Sequence, residues 1–131
     1  MKDNLTFEQV EQYLLSKPEA SLYYPFGDGV KVFRVKTKMF ATLALGKMGK
    51  GDDEKQDWWL NLKCDPEEAL MLRDIFPAII PGYHMNKKLW NTVILDGSIP
   101  QGEIERMIDN SFMLVVSKMA KKDQKSILIQ L

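Results

Sequence analysis

Residues 82–91 gather most of the side chains in this sequence that could do chemistry. They are the phenol of Tyr83, the imidazole of His84, the amides of Asn86 and Asn91, the ammonium groups of Lys87 and Lys88, and the indole of Trp90. Such a mixture can grip phosphate and base edges, or hold a small polar ligand. A loop that serves only the fold would use the same groups differently. Tyr83 and His84 would then satisfy backbone partners, and Asn86 and Asn91 would hold the turn.

Other chemistry finds less support. His84 is the only histidine and Cys64 the only cysteine, whereas a zinc site needs several nitrogen or sulfur ligands. Neither a metal nor a cofactor is expected. Nucleophilic catalysis would need Cys64 beside His84, yet Cys64 ends an apolar strand face and reads as a small core residue. No Gly-x-Ser-x-Gly element occurs. His84 with Tyr83 and Lys87 could move protons, but no spacing demands it, so a binding protein is expected rather than an enzyme. Gly46-Lys47-Met48-Gly49-Lys50-Gly51 lacks the spacing of a phosphate-binding P-loop. Its Gly46-Lys47-Met48-Gly49 fits a bare GxxG, which in KH domains sits between helices rather than strands. A hairpin tip, or wing, is the better reading.

The elements that must position these residues follow from pattern. Thr6 as N-cap, with Gln9 three residues on, opens a helix whose apolar positions are Phe7, Val10, Tyr13 and Leu14, and which Pro18 stops. Residues 21–29 read as a structured loop. Strands are expected over 30–36, over 39–45 with Met39, Ala41, Leu43 and Leu45 on one face, and over 57–64 with Trp58, Leu60, Leu62 and Cys64 on one face. The stretch 46–56 reads as a long hairpin loop. Asp65-Pro66-Glu67-Glu68 is a strong helix start, followed by a stripe of Ala69, Leu72, Ile75 and Phe76. A strand over 89–95 and a turn at Asp96-Gly97 precede a last long helix with the stripe Ile104, Ile108, Phe112, Val115 and Met119. The tail from Lys121 is basic and then apolar; it would either dock or fray. The order α-β-β-β-α-β-α, with room for one short strand more, makes an α+β domain: a single, mostly antiparallel sheet packed against helices.

Alternation then groups side chains. Trp59, Asn61 and Lys63 share one side of their strand, and Lys88, Trp90, Thr92 and Ile94 share one side of theirs. If those sides face the same way, two tryptophans edged by lysines form a surface suited to stacking on bases and neutralising phosphates; the alternative is that a helix or the tail covers them. Between Val30 and Lys63 stand eight basic residues and four acidic ones, Asp52, Asp53, Glu54 and Asp57. Lys31, Arg34, Lys36, Lys38, Lys47 and Lys50 are thus locally uncompensated and could engage a phosphate backbone, or could simply be a solvated edge that blocks strand pairing.

The string Gly82-Tyr83-His84-Met85-Asn86-Lys87 followed by Trp90-Asn91 resembles the signature of the MmcQ/YjbR family. Lys31-Val32-Phe33-Arg34-Val35 ahead of Lys38-Met39-Phe40-Ala41, the helix start Leu62-Lys63-Cys64-Asp65-Pro66-Glu67, and Asp109-Asn110-Ser111-Phe112-Met113-Leu114-Val115 resemble the same family. The resemblance implies a CyaY-like (bacterial frataxin-like) fold and a DNA-binding role through wing-like loops or strands. It does not extend past Lys122, which leaves 122–131 as a C-terminal extension of one domain spanning 1–131.

Composition sets the remaining bounds. The chain has 131 residues, with 18 basic and 18 acidic side chains in balance, so attraction to nucleic acid must come from a local patch rather than net charge. One cysteine permits no internal disulfide, and neither a signal peptide nor a membrane-length apolar run appears. The chain reads as a cytoplasmic protein of bacterial style, a monomer or weak homodimer. The leading expectation is a double-stranded DNA binder with contacts from Lys31, Arg34, Lys36, Lys38, Lys47, Lys50 and Lys63 and a second region at Asn86, Lys87, Lys88 and Trp90. The rival is a small-molecule binder or enzyme built on Tyr83, His84, Asn86, Trp90 and Asn91.

Overall fold

The computed structural model describes residues 4–46, 57–83 and 85–131. Its elements are α1 (Asn4–Leu15), β1 (Ala20–Tyr23), β2 (Val30–Val35), β3 (Lys38–Leu45), β4 (Trp58–Lys63), α2 (Pro66–Ile75), β5 (Ile79–Pro81), β6 (Trp90–Leu95), α3 (Gln101–Val116) and α4 (Lys121–Leu128). The six strands form one sheet of order β1-β2-β3-β4-β6-β5, and every neighbouring pair is antiparallel. The expected α+β class holds.

The helices share a core with one sheet face. Val10 and Leu14 of α1, Ala69 and Leu72 of α2, and Ile104, Ile108 and Phe112 of α3 pack with Phe33, Leu43, Leu60, Leu62 and Val93. The expected helix start at Asp65 is seen in full: its carboxylate accepts from the backbone N–H of Glu67 and Glu68, and Pro66 occupies the first turn. That arrangement satisfies two N–H groups that have no partner inside the helix. At the other end of the layer, the Tyr13 hydroxyl donates to Asp109 at 2.7 Å and ties α1 to α3.

Several expectations need correction. Helix α1 begins at Asn4, so Thr6 lies inside it rather than capping it. Two short strands escaped the pattern: β1, of four residues, lies where a loop is expected, and β5, of three, ends in Pro81. Neither is long enough to show period-two alternation. In β3 the alternation breaks at a bulge. Phe33 pairs with Ala41 and Arg34 with Met39, which leaves Phe40 as the extra residue. Phe40 turns into the main core and meets Phe112 edge-on at 5.4 Å. Met39 therefore joins Val30, Val32, Ala44 and Tyr23 on the opposite face instead of sharing a face with Ala41 and Leu43. Helix α3 ends at Val116, short of Met119. Ile75, expected in the core, is 59% exposed. The tail does not fray: residues 121–128 form α4, and Ile127 is fully buried in the main core. The expected hairpin tip with Lys47 and Lys50 lies outside the described residues, as does His84.

Candidate nucleic-acid interface

The β4–β6 register decides the arrangement of the tryptophans. Trp59 sits opposite Ile94, Asn61 opposite Thr92, and Lys63 opposite Trp90. Directly paired residues project to the same side, so Trp59, Trp90 and Lys63 do share a face, the one turned away from the helices. That face is not an open platform. Trp90 is only 9% exposed and Trp59 is half-buried, because the chain after β5 folds back on them. The Gly82 N–H donates to the Trp90 carbonyl at 2.9 Å. A side chain at residue 82 would stand 2.8 Å from the Trp90 Cβ, so this close approach requires glycine. The Tyr83 ring meets Trp59 edge-on at 5.6 Å. Beneath them lies a closed polar network. The Tyr83 N–H donates to Thr92 at 2.8 Å, the Thr92 hydroxyl donates to the Asn61 carbonyl oxygen, and the Asn61 amide donates to Thr42 at 3.0 Å. Thr42, Asn61 and Thr92 are all buried, and these bonds repay the desolvation of their polar groups.

The loop amides are committed to the fold as well. The Asn86 side-chain oxygen accepts from the backbone N–H of Lys88 and Leu89 at 2.9 and 3.3 Å and shapes the turn. Asn91 is 2% exposed; it accepts from the Arg73 Nε at 2.7 Å and donates to the Ala69 carbonyl at 3.3 Å. Arg73, which pattern reading passes over as an ordinary helix-end charge, also donates to the carbonyls of Lys87 and Trp90. It fastens the loop to α2. The Lys87 ammonium reaches the Gly82 carbonyl at 3.3 Å, while Lys88 is exposed.

Two of the lysines expected to be uncompensated are not. Lys31 lies on the helix-side face, 2.7 Å from Glu11 and over the Phe7 ring. Burial is the largest single influence and works against its charge, but the hydrogen bond and the charge of Glu11, with Tyr24, together outweigh it and raise the ammonium above its ordinary range. Lys36 pairs with Glu19 at 3.0 Å and approaches Asp123 at 4.0 Å. The hydrogen bond it donates to Glu19 raises its pKa against a smaller opposing effect of burial. These partners lie 20 and 17 residues away, in α1 and in the turn before β1, so counting charges along one segment could not find them. Arg34 stacks on Tyr23, its guanidinium carbon 4.1 Å from the ring centroid.

A different trio of lysines borders one cleft. Lys38 at the start of β3, Lys63 at the end of β4 and Lys118 just past α3 line one cleft of about 240 Å³, with Met39, Val115 and Met119 as its apolar wall. None of the three pairs with a described carboxylate. Ser111 holds the cleft's walls in place. Its hydroxyl, fully buried, donates to the Phe40 carbonyl at 2.6 Å and accepts from the Lys63 N–H at 2.9 Å, so it stitches both strand ends to α3. The signal was available in the sequence, since residue 111 lies seven positions after Ile104 on the apolar stripe. A serine there needs buried partners.

Among the described residues no group of three or more histidine, cysteine or acidic side chains could hold a metal ion. Cys64 is 8% exposed, and burial first, then the charges of Glu68 and Asp65, pushes its thiol up to about 11. It is a neutral thiol at neutral pH rather than a nucleophile. No described helix is long and apolar enough to cross a membrane.

The YjbR family model matches residues 15–114. The chain is 36% identical to YbdF of Escherichia coli O157:H7 over 120 residues, 92% of each chain. It is 30% identical to YjbR of Escherichia coli K12 over 127 residues, 97% of this chain and all of that one. Among solved structures, a Deinococcus radiodurans protein with a DUF419 domain superposes with a TM-score of 0.79 at 30% identity, covering 97% of this chain and 91% of that one. A Pseudomonas syringae protein superposes at 0.71 with 32% identity, covering 82% of this chain and 97% of its own.

Proposed function

The chain belongs to the YjbR family, and for it we propose binding of a nucleic-acid backbone, in the first instance duplex DNA, at the cleft lined by Lys38, Lys63 and Lys118. The observation behind this reading is one cleft bordered by three lysines and by no described carboxylate. Cationic side chains around one cleft attract a phosphate, and its binding there releases counterions. A space of about 240 Å³ has the volume of about eight waters, which suits a phosphodiester and part of its hydration. Lys88 lies two residues before Trp90, the cross-strand partner of Lys63, and extends the positive edge toward the loop.

The same geometry argues against reading of bases. Trp90 is sealed, Trp59 is engaged by Tyr83, the Asn86 side-chain oxygen is taken up by its own turn, and Asn91 is buried with both ends of its amide bonded. Binding by this surface is indifferent to sequence. Fluorescence anisotropy of a labelled duplex, titrated with protein at rising salt, tests it. With about three phosphates engaged, the log–log salt slope is about −2.7, or roughly a 40-fold loss of affinity between ~50 and ~200 mM salt. Two duplexes of unrelated sequence bind alike. No binding of either duplex at low ionic strength removes the proposal.

A further inference from the structure

We propose that this chain forms a weak two-fold dimer in which the α4 tail of each copy lies in the furrow between α2 and α3 of the other. The furrow is an unusual surface. One section of about 590 Å³ runs past Met71 and Ile75, and a second of about 380 Å³ runs past Met113. Both sections share Asp65 and Glu68 and so adjoin at the start of α2. Met71, Ile75 and Met113 are 60%, 59% and 40% exposed, which is a large apolar outlay along one line for a protein that stays alone. The rim is acidic. Four carboxylates face a single guanidinium, that of Arg106, which Glu68 and Glu103 already hold at 2.9 Å and 2.5 Å. Glu67 remains without a basic partner among the described residues.

The complementary surface is on the same chain. Helix α4 carries exposed Lys121, Lys122 and Lys125, and its end presents Leu128, Ile129 and Leu131 at 38%, 82% and 67% exposure. Ile127 anchors the helix to the core, so the tail is displayed on a fixed support rather than trailing free. A basic, apolar tail and an acidic, apolar furrow match in both respects, which favours a second copy as occupant over an acidic or wholly polar partner.

The placement permits closure. The furrow runs along α3 from Glu103 and Arg106 to Met113, and α4 follows α3 after a short turn. A two-fold pairing of this kind seats each tail on the other copy's furrow. Both contacts are then made twice and no open chain of subunits results.

Sedimentation velocity across micromolar to millimolar concentrations reads the mass. The wild type moves from monomer toward dimer. Furrow reversal (Glu67→Lys with Glu103→Lys) and tail reversal (Lys121→Glu, Lys122→Glu and Lys125→Glu) each raise the dissociation constant at least tenfold. An equimolar mixture of the two restores dimer, because a positive furrow then meets a negative tail and a negative furrow a positive tail. Ile129→Glu, at a site exposed enough to leave folding alone, also weakens the dimer. A wild type that stays monomeric throughout overturns the proposal. So does a dimer that all the variants leave unchanged, or a mixture that stays monomeric. Duplex binding at the lysine cleft stands or falls separately, since none of these residues lines it.

Discussion

Replacing Ser111 by alanine removes one oxygen from a fully buried position and two hydrogen bonds with it. The partners left behind are the Phe40 carbonyl, at the bulge, and the Lys63 N–H, at the end of β4. Each hydrogen bond contributes about 1 kcal/mol net, and a buried group stranded without a partner costs about 1–3 kcal/mol. Alanine fits the space without strain and keeps helix propensity, so no opposing cost arises. The expected loss is about 2 kcal/mol. For a domain of this size that corresponds to a fall in Tm of roughly 7 °C. Urea denaturation read by far-ultraviolet circular dichroism measures it, with an unchanged slope showing that the fold itself is kept. Because Ser111 fixes the strand ends that carry Lys38 and Lys63, duplex affinity falls as well, though the charges remain. A loss of stability below about 0.5 kcal/mol, inside the range of ordinary surface substitutions, would refute the claim that this hydroxyl stitches sheet to helix.

Three further outcomes follow. Gly82→Ala places a methyl group within 2.8 Å of Trp90 and lowers stability by about 1–3 kcal/mol; a rise in Trp90 fluorescence quenching by iodide reports the lifted loop, and unaltered quenching counts against it. Cys64 has a folded thiol pKa of about 11 against an ordinary 9.0. Its contribution is therefore complete below pH ~9 and drains away as pH rises from there toward 11, by at most about 2–3 kcal/mol. Comparing wild type with Cys64→Ala across that window isolates the effect, and parallel curves would contradict it. Arg73→Met cuts three bonds to the 82–91 loop and raises hydrogen exchange at Lys88 and Leu89, while exchange in α1 stays as it was; equal protection in both proteins would argue that the clamp is idle.

How far the sequence could be read depended on how local the determinants were. The faces of β4 and β6 were legible because alternation there runs unbroken, and the start of α2 was legible because Asp65 and Pro66 act on their own helix. The bulge at Phe40 was not, since it trades one side chain between two faces and leaves no mark in composition. Strand β5 was hidden by its length and by Pro81. The loop of residues 82–91 looked chemically rich because polar groups that serve the backbone resemble polar groups that serve a ligand. Only their partners separate the two uses, and Asn86, Asn91 and Tyr83 turned out to spend theirs within the chain. The lysines reversed in a similar way. Lys31 and Lys36 meet carboxylates brought from elsewhere in the fold, whereas Lys38 and Lys63 border one cleft with Lys118 from beyond α3.

That contrast between paired lysines and those bordering the cleft is the core of the functional account, and one comparison addresses it. Duplex affinity at low salt is measured for Lys38→Ala/Lys63→Ala/Lys118→Ala and for Lys31→Ala/Lys36→Ala. The account predicts that the first variant loses most of its binding and flattens the salt slope by about 2.7, while the second binds within about twofold of wild type, because Glu11 and Glu19 already neutralise the charges it removes. Equal losses in the two variants, or a greater loss in the second, would contradict the account.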